Sequence, residues 1–154
     1  MRILNLLLIA IVLTFTSCQN AAVPETAESH QSEECQVKDG LFLHISTGYD
    51  NPKKALMALS LATIMAETKD VALFLDMEGV KLLTKTSEDI QLENFISLHE
   101  ALDKLIEMDV LIMACPMCTK AAGINPEDYK NGIIIAEKEK FFDFTKGRIL
   151  SLDY

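Results

Sequence analysis

Val110-Leu111-Ile112-Met113-Ala114-Cys115-Pro116-Met117-Cys118-Thr119-Lys120-Ala121-Ala122-Gly123 is an apolar run that gives way to a short stretch of helix-like composition. The run from Val110 to Ala114 has the length and near-continuous hydrophobicity of a strand buried on both faces, as in a parallel sheet. Gly123 stands where a helix expects its C′ glycine. A strand that leads straight into a helix places Cys115 and Cys118 at the helix N-terminus. Backbone N–H groups without intrahelical partners and the helix dipole favour a thiolate there. Pro116 suits the first helical turn, where its missing N–H costs nothing.

The same alternation recurs along the chain. Leu41-Phe42-Leu43-His44-Ile45 and Val71-Ala72-Leu73-Phe74-Leu75 read as two more buried strands, Gly132-Ile133-Ile134-Ile135 as a fourth and Ile149-Leu150-Ser151-Leu152 as a fifth. Between the first two, Asp50 or Asn51 can cap a helix that Pro52 opens and that runs over 53–67. Glu78-Gly79-Val80 turns the chain into a short helix through Leu82-Leu83. Leu98, Leu102, Leu105 and Ile106 recur at helical spacing, which predicts a helix over about 95–108. Residues 137–146 form the last helix, and Gly147 stops it. Strands and helices alternate five times, so the fold class is α/β: a three-layer α/β/α domain with a mainly parallel five-stranded sheet. In such sheets function gathers beyond the carboxyl ends of the strands. Cys115 lies there after the third strand, and Ser46-Thr47-Gly48 after the first. Whether the two meet depends on strand order, which periodicity does not contain.

The chain begins as a secretory signal. Arg2 is the only charge in its first 18 residues, and the apolar run from Ile3 to Phe15 is too short to span a membrane comfortably. Phe15-Thr16-Ser17-Cys18 resembles a bacterial lipobox, in which the signal is cut before a cysteine that is then lipidated. This divides the chain into a signal peptide (1–17), a lipidated Cys18 with a disordered acidic tether (18–38) and one folded domain (39–154). The expected location is the cell envelope, anchored to a membrane through lipid and facing the periplasm. Cys18 is then an anchor and plays no part in chemistry. Cys35, beside Glu33 and Glu34, is free to pair with Cys115, Cys118 or another chain; spacing does not choose among these.

Charge narrows the partners. There are 14 Lys+Arg against 23 Asp+Glu, a net charge of −9, and loss of the signal makes the chain one unit more negative. Such a surface repels phosphate backbones and no basic patch interrupts it, which argues against nucleic acid as a partner. No G-x-G-x-x-G or P-loop string occurs, no Ser-His-Asp arrangement announces itself, and no cofactor is expected.

Four segments carry a family resemblance: Phe42-Leu43-His44-Ile45-Ser46-Thr47-Gly48; Asn51-Pro52 with its Ala/Met/Leu helix; Phe74-Leu75-Asp76-Met77-Glu78-Gly79-Val80-Lys81-Leu82-Leu83; and Ala114-Cys115-Pro116-Met117-Cys118 through Gly123-Ile124. Together they resemble the DsrE/DsrF-like family of small sulfur-handling proteins, over about 40–154. The resemblance implies a five-stranded α/β core, a homo-oligomer, and Cys115 as the position of the family's persulfide-carrying cysteine. It also implies a sulfur donor or acceptor protein, or a small sulfur species, as partner. Cys118 has no equivalent in the single-cysteine members, so the chain is a CxxC variant.

Three chemistries fit these residues. The first is thiol work, with Cys115 attacking and Cys118, one turn on, resolving, either as persulfide transfer or as disulfide exchange. The second is soft-metal binding, since Met113-Ala114-Cys115-Pro116-Met117-Cys118 matches the M-x-C-x-x-C string of copper carriers. Zinc would want four ligands and the motif supplies two, so no metal ligand is assigned, and His99 helps only if the fold brings it close. The third is a tethered binding module without catalysis. Other residues have plainer expectations. His44 reads as a hydrogen-bonded core histidine, and the methionines between 57 and 117 as core filler. Asp76 and Glu78 are candidates for acid and base but read first as turn caps; Lys120 is the nearest cation to favour a Cys115 or Cys118 thiolate but reads first as a solvated helix residue; Phe141, Phe142 and Phe144 read as core or a subunit contact.

Overall fold

A computed structural model describes residues 37–154. The signal, Cys18 and the tether through residue 36, with His30 and Cys35, lie outside the described residues. Five strands, β1 (Gly40–Ile45), β2 (Asp70–Leu75), β3 (Leu111–Ala114), β4 (Ile133–Ile135) and β5 (Ile149–Asp153), form one sheet in the order β4-β3-β2-β1-β5. Every neighbouring pair is parallel. The helices are α1 (Pro52–Ala66), α2 (Leu98–Glu107), α3 (Pro116–Ala121) and α4 (Lys140–Asp143), and a 3-10 segment covers Met77–Leu83.

The chain steps from β1 to β4 in one direction and then crosses back to the far edge for β5. With right-handed crossovers, α1, α2 and α3 share one side of the sheet and α4 takes the other. Side-chain alternation agrees. Leu41, Leu43 and Ile45 of β1 are buried, and so are Leu73 and Leu75 of β2, packed with Leu56 and Leu59 of α1 and Leu102 and Leu105 of α2. Each such side chain contributes about 1.5–3 kcal/mol by leaving water. The opposite face carries Phe42, His44 and Phe74. There the Phe141 ring of α4 lies 5.9 Å from Phe42 and 5.2 Å from Phe74, and Phe144 lies 6.4 Å from Phe42. Phe142 points to solvent.

Local signals explain where the elements begin. Asn51 caps α1 by accepting from the Lys54 N–H, and Pro52 opens the helix. α2 starts at Leu98, three residues later than its periodicity suggests, because Ser97 takes the cap and accepts from the Glu100 N–H. α4 is one turn long rather than spanning 137–146. Thr145 donates to the Lys38 carbonyl at 2.7 Å, and Gly147 lies so close to that carbonyl that a Cβ would stand 2.1 Å from it. The chain must leave the helix there to enter β5.

The methionines correct the expectation of core filler. Met113 is fully buried, but Met57, Met65, Met77, Met108 and Met117 are exposed, because each lies on a helix flank or turn directed away from the sheet. Among the described residues no helix is long and apolar enough to cross a membrane.

Candidate functional site

The strand order sets β1, β2 and β3 side by side, so the three segments that follow them meet. Ile45 pairs with Leu75 and Leu75 with Ala114, which makes Asp76 and Cys115 the next residues of neighbouring strands. The Asp76 N–H donates to the Ile45 carbonyl at 3.2 Å, and the Cys115 N–H to the Leu75 carbonyl at 2.8 Å. Two glycines allow the loops to close over one another. A Cβ on Gly48 would stand 2.5 Å from the Glu78 carbonyl oxygen, and one on Gly79 would stand 2.5 Å from that of Ile45. The result is an open cleft of about 480 Å³ lined by Ser46, Thr47, Met77, Glu78, Lys81 and Cys118.

Cys115 is the N-cap residue of α3 and Cys118 its third residue, with Pro116 first, as the sequence suggests. Both are free thiols and half-buried. The helix start is held from below. Thr119, buried, donates its hydroxyl to the Cys115 carbonyl at 2.7 Å, so the hydroxyl of the buried Tyr129 must donate to Thr119 across their 2.7 Å contact.

The two sulfurs differ in surroundings. The Met77 backbone N–H donates to Cys118 and favours its thiolate, but burial, the neighbouring Cys115 and the Asp76 charge outweigh it, and the Cys118 pKa is raised. Met77 reaches this position with φ +45°, the left-handed region that non-glycine residues rarely adopt. The same two sulfurs, added to burial, raise the Tyr129 pKa against the opposing effect of its hydrogen bond with Thr119.

Asp76 does not act as a cap: its side chain makes no bond to the 3-10 segment that follows it. Instead its Oδ2 lies 3.0 Å from His44 Nε2, while His44 Nδ1 is hydrogen-bonded to Asp153 Oδ1 at 2.8 Å. His44 is therefore not an ordinary core histidine but a half-buried imidazole clamped between carboxylates and stacked on Phe74. Burial works against its charged form, yet the two carboxylates prevail and its pKa is raised. Glu78 pairs with Lys81 at 2.7 Å on the cleft rim. Lys120 is exposed. His99 is occupied elsewhere, with Nε2 2.9 Å from the Ser87 carbonyl oxygen. Among the described residues no group of three or more His, Cys, Asp or Glu is arranged to hold a metal ion.

A five-stranded, all-parallel sheet with helices on both faces is the architecture of the small DsrE-like α/β proteins. Residues 39–146 match the DsrE/DsrF-like family, and the chain belongs to it. It is 29% identical over 109 residues to the uncharacterized protein MK0008 of Methanopyrus kandleri, an alignment covering 70% of this chain and 88% of that protein. The fold is similar to that of the ychN protein from E. coli, with a TM-score of 0.60, 19% identity, and coverage of 75% of this chain and 99% of that one.

Proposed function

We propose that this chain is a membrane-tethered thiol protein that carries sulfur as a persulfide on Cys115, with Cys118 able to close a disulfide onto it. The observation that carries the reading is the pair of free, half-buried thiols at the start of α3, of which Cys118 lines the cleft beyond β1 and β2. Membership of the DsrE/DsrF-like family supports sulfur relay as the use of that pair. A thiolate at Cys115 attacks the outer sulfur of a donor persulfide, the donor leaves as a thiol, and Cys115 keeps the transferred sulfur. The raised Cys118 pKa keeps that thiol protonated meanwhile, so it does not discharge the load at once.

Cys18 is the proposed lipid anchor, the cell envelope facing the periplasm the proposed location, and a second copy of the chain the proposed oligomer partner. Sulfur donors or acceptors are then proteins or small sulfur species of that compartment. Intact-protein mass spectrometry after exposure to polysulfide tests the site. The expected result is a gain of about 32 Da, one sulfur atom, on Cys115 that vanishes in Cys115→Ser. An unmodified wild-type protein overturns it. Metabolic labelling with a fatty-acid analogue, compared with Cys18→Ser, tests the anchor.

A further inference from the structure

Among the described residues, four buried side-chain polar atoms have no hydrogen-bond partner, and three of them stand at the carboxyl ends of β1 and β2: His44 Nε2, Thr47 Oγ1 and Asp76 Oδ1. Buried polar groups are normally satisfied, so a concentration of unsatisfied ones asks for a use. His44 Nε2 stands at ion-pair distance from Asp76 Oδ2 but off the line of a hydrogen bond, which leaves the Asp76 carboxylate held yet free to accept. Asp76 also directly precedes Met77, the residue whose N–H reaches the Cys118 sulfur, and its charge acts on that thiol although the two make no hydrogen bond. Across β1, β2 and β3 the line runs His44, Asp76, Cys115 and Cys118.

Resting on the persulfide reading above, we infer that Asp76 is the proton acceptor for Cys118, through one bridging water, when that thiol closes on Cys115, and that His44 is the positioning residue that holds Asp76 for the task. The step balances. The Cys118 S–H gives its proton to the Asp76 carboxylate while the sulfur electron pair forms a bond to Cys115 Sγ. The bond between Cys115 Sγ and the carried sulfur breaks, hydrosulfide leaves with that electron pair, and it takes the proton from Asp76 to become hydrogen sulfide. The two cysteines are oxidised to a disulfide, the carried sulfur is reduced to sulfide, and Asp76 returns to a carboxylate.

Every charged or titratable neighbour bears on the pH dependence. Cys118 is faced by Cys115, Asp76 and Tyr129, and across the cleft by Asp50, Glu78 and Lys81. His44 is faced by Asp76 and Asp153.

An aromatic disulfide reagent that releases a coloured thiolate tests this without using persulfide. Its first release reports capture on Cys115 and its second reports closure by Cys118; Cys118→Ser identifies the second. In Asp76→Asn the ratio of second to first rate is expected to fall at least about tenfold near neutral pH. It should rejoin wild type in alkali, where hydroxide removes the proton instead. His44→Gln moves the ratio the same way by less, and Asp76→Glu restores part of it. Asp76 makes no capping bond, so its amide variant is expected to fold; should it fail to, the His44→Gln profile decides. Closure in Asp76→Asn as fast as wild type or faster, the outcome if Asp76 merely repels a thiolate, overturns the inference, as does a loss that is equal at every pH. Absence of sulfur on Cys115 in the mass experiment would remove the persulfide reading while leaving this measurement intact.

Discussion

Gly79 lies against the end of β1 so closely that a Cβ built on it would stand 2.5 Å from the Ile45 carbonyl oxygen. That oxygen already accepts the Asp76 N–H, so β1 and the turn after β2 are locked at one point. Gly79→Ala must push the turn away from the strand. The expected cost is about 1–3 kcal/mol in urea unfolding, the range for overpacking a closed contact. A variant as stable as wild type would mean that the turn is looser than its packing indicates.

The Thr119–Tyr129 pair beneath Cys115 makes a second prediction. Thr119→Val removes the acceptor of the buried Tyr129 hydroxyl and should cost about 1–3 kcal/mol, the penalty for an unsatisfied buried group. Tyr129→Phe leaves Thr119 bonded to the Cys115 carbonyl and should cost less, about 1 kcal/mol. Once both hydroxyls are gone no orphan remains, so the double variant should lose less than the sum. Strict additivity in a double-mutant cycle would refute the coupling.

His44 predicts a pH dependence of known sign. Its folded pKa is raised above the 6.5 of the free side chain, so the stabilisation it draws from Asp76 and Asp153 is complete below about pH 6.5 and fades as pH rises through the folded value. The stability difference between wild type and His44→Gln should therefore shrink from mildly acid to alkaline pH. A difference that grows instead would reverse the assignment.

Asp39 behaves oppositely. It accepts from the Arg148 backbone N–H and guanidinium, which brings its pKa from 3.8 down to about 2 and ties the start of β1 to that of β5. The associated stability is present above pH 3.8 and is lost as pH falls through about 2. Asp39→Asn should flatten the acid limb of the wild-type curve in that window. Because the pair is open to solvent, added salt should reduce the difference.

Much of this molecule is visible residue by residue. The apolar runs that became β1 to β5, the Asn51-Pro52 start of α1 and the Cys115-Pro116 start of α3 are local patterns, and each is found where its chemistry predicts. The misjudged elements are those whose limits are set by distant partners. α4 is cut short by the Lys38 backbone, and most of the methionines between 57 and 117 are exposed because the sheet already has its core from leucine, isoleucine and valine. His44 looked like a core residue because its strand neighbours are apolar. Nothing near it in the chain announces Asp76, 32 positions later, or Asp153 beyond the last helix.

Hydrophobic period, helix caps and turn residues act over a few positions, so the chain alone determined an alternating α/β domain, the place of each strand to within one residue at either end and a pair of cysteines opening a helix. Strand order and register come from which apolar faces bury together across the whole chain. Only the tertiary structure could therefore decide that β2 stands between β1 and β3, that Gly48 and Gly79 let their loops close, and that Asp76 meets His44.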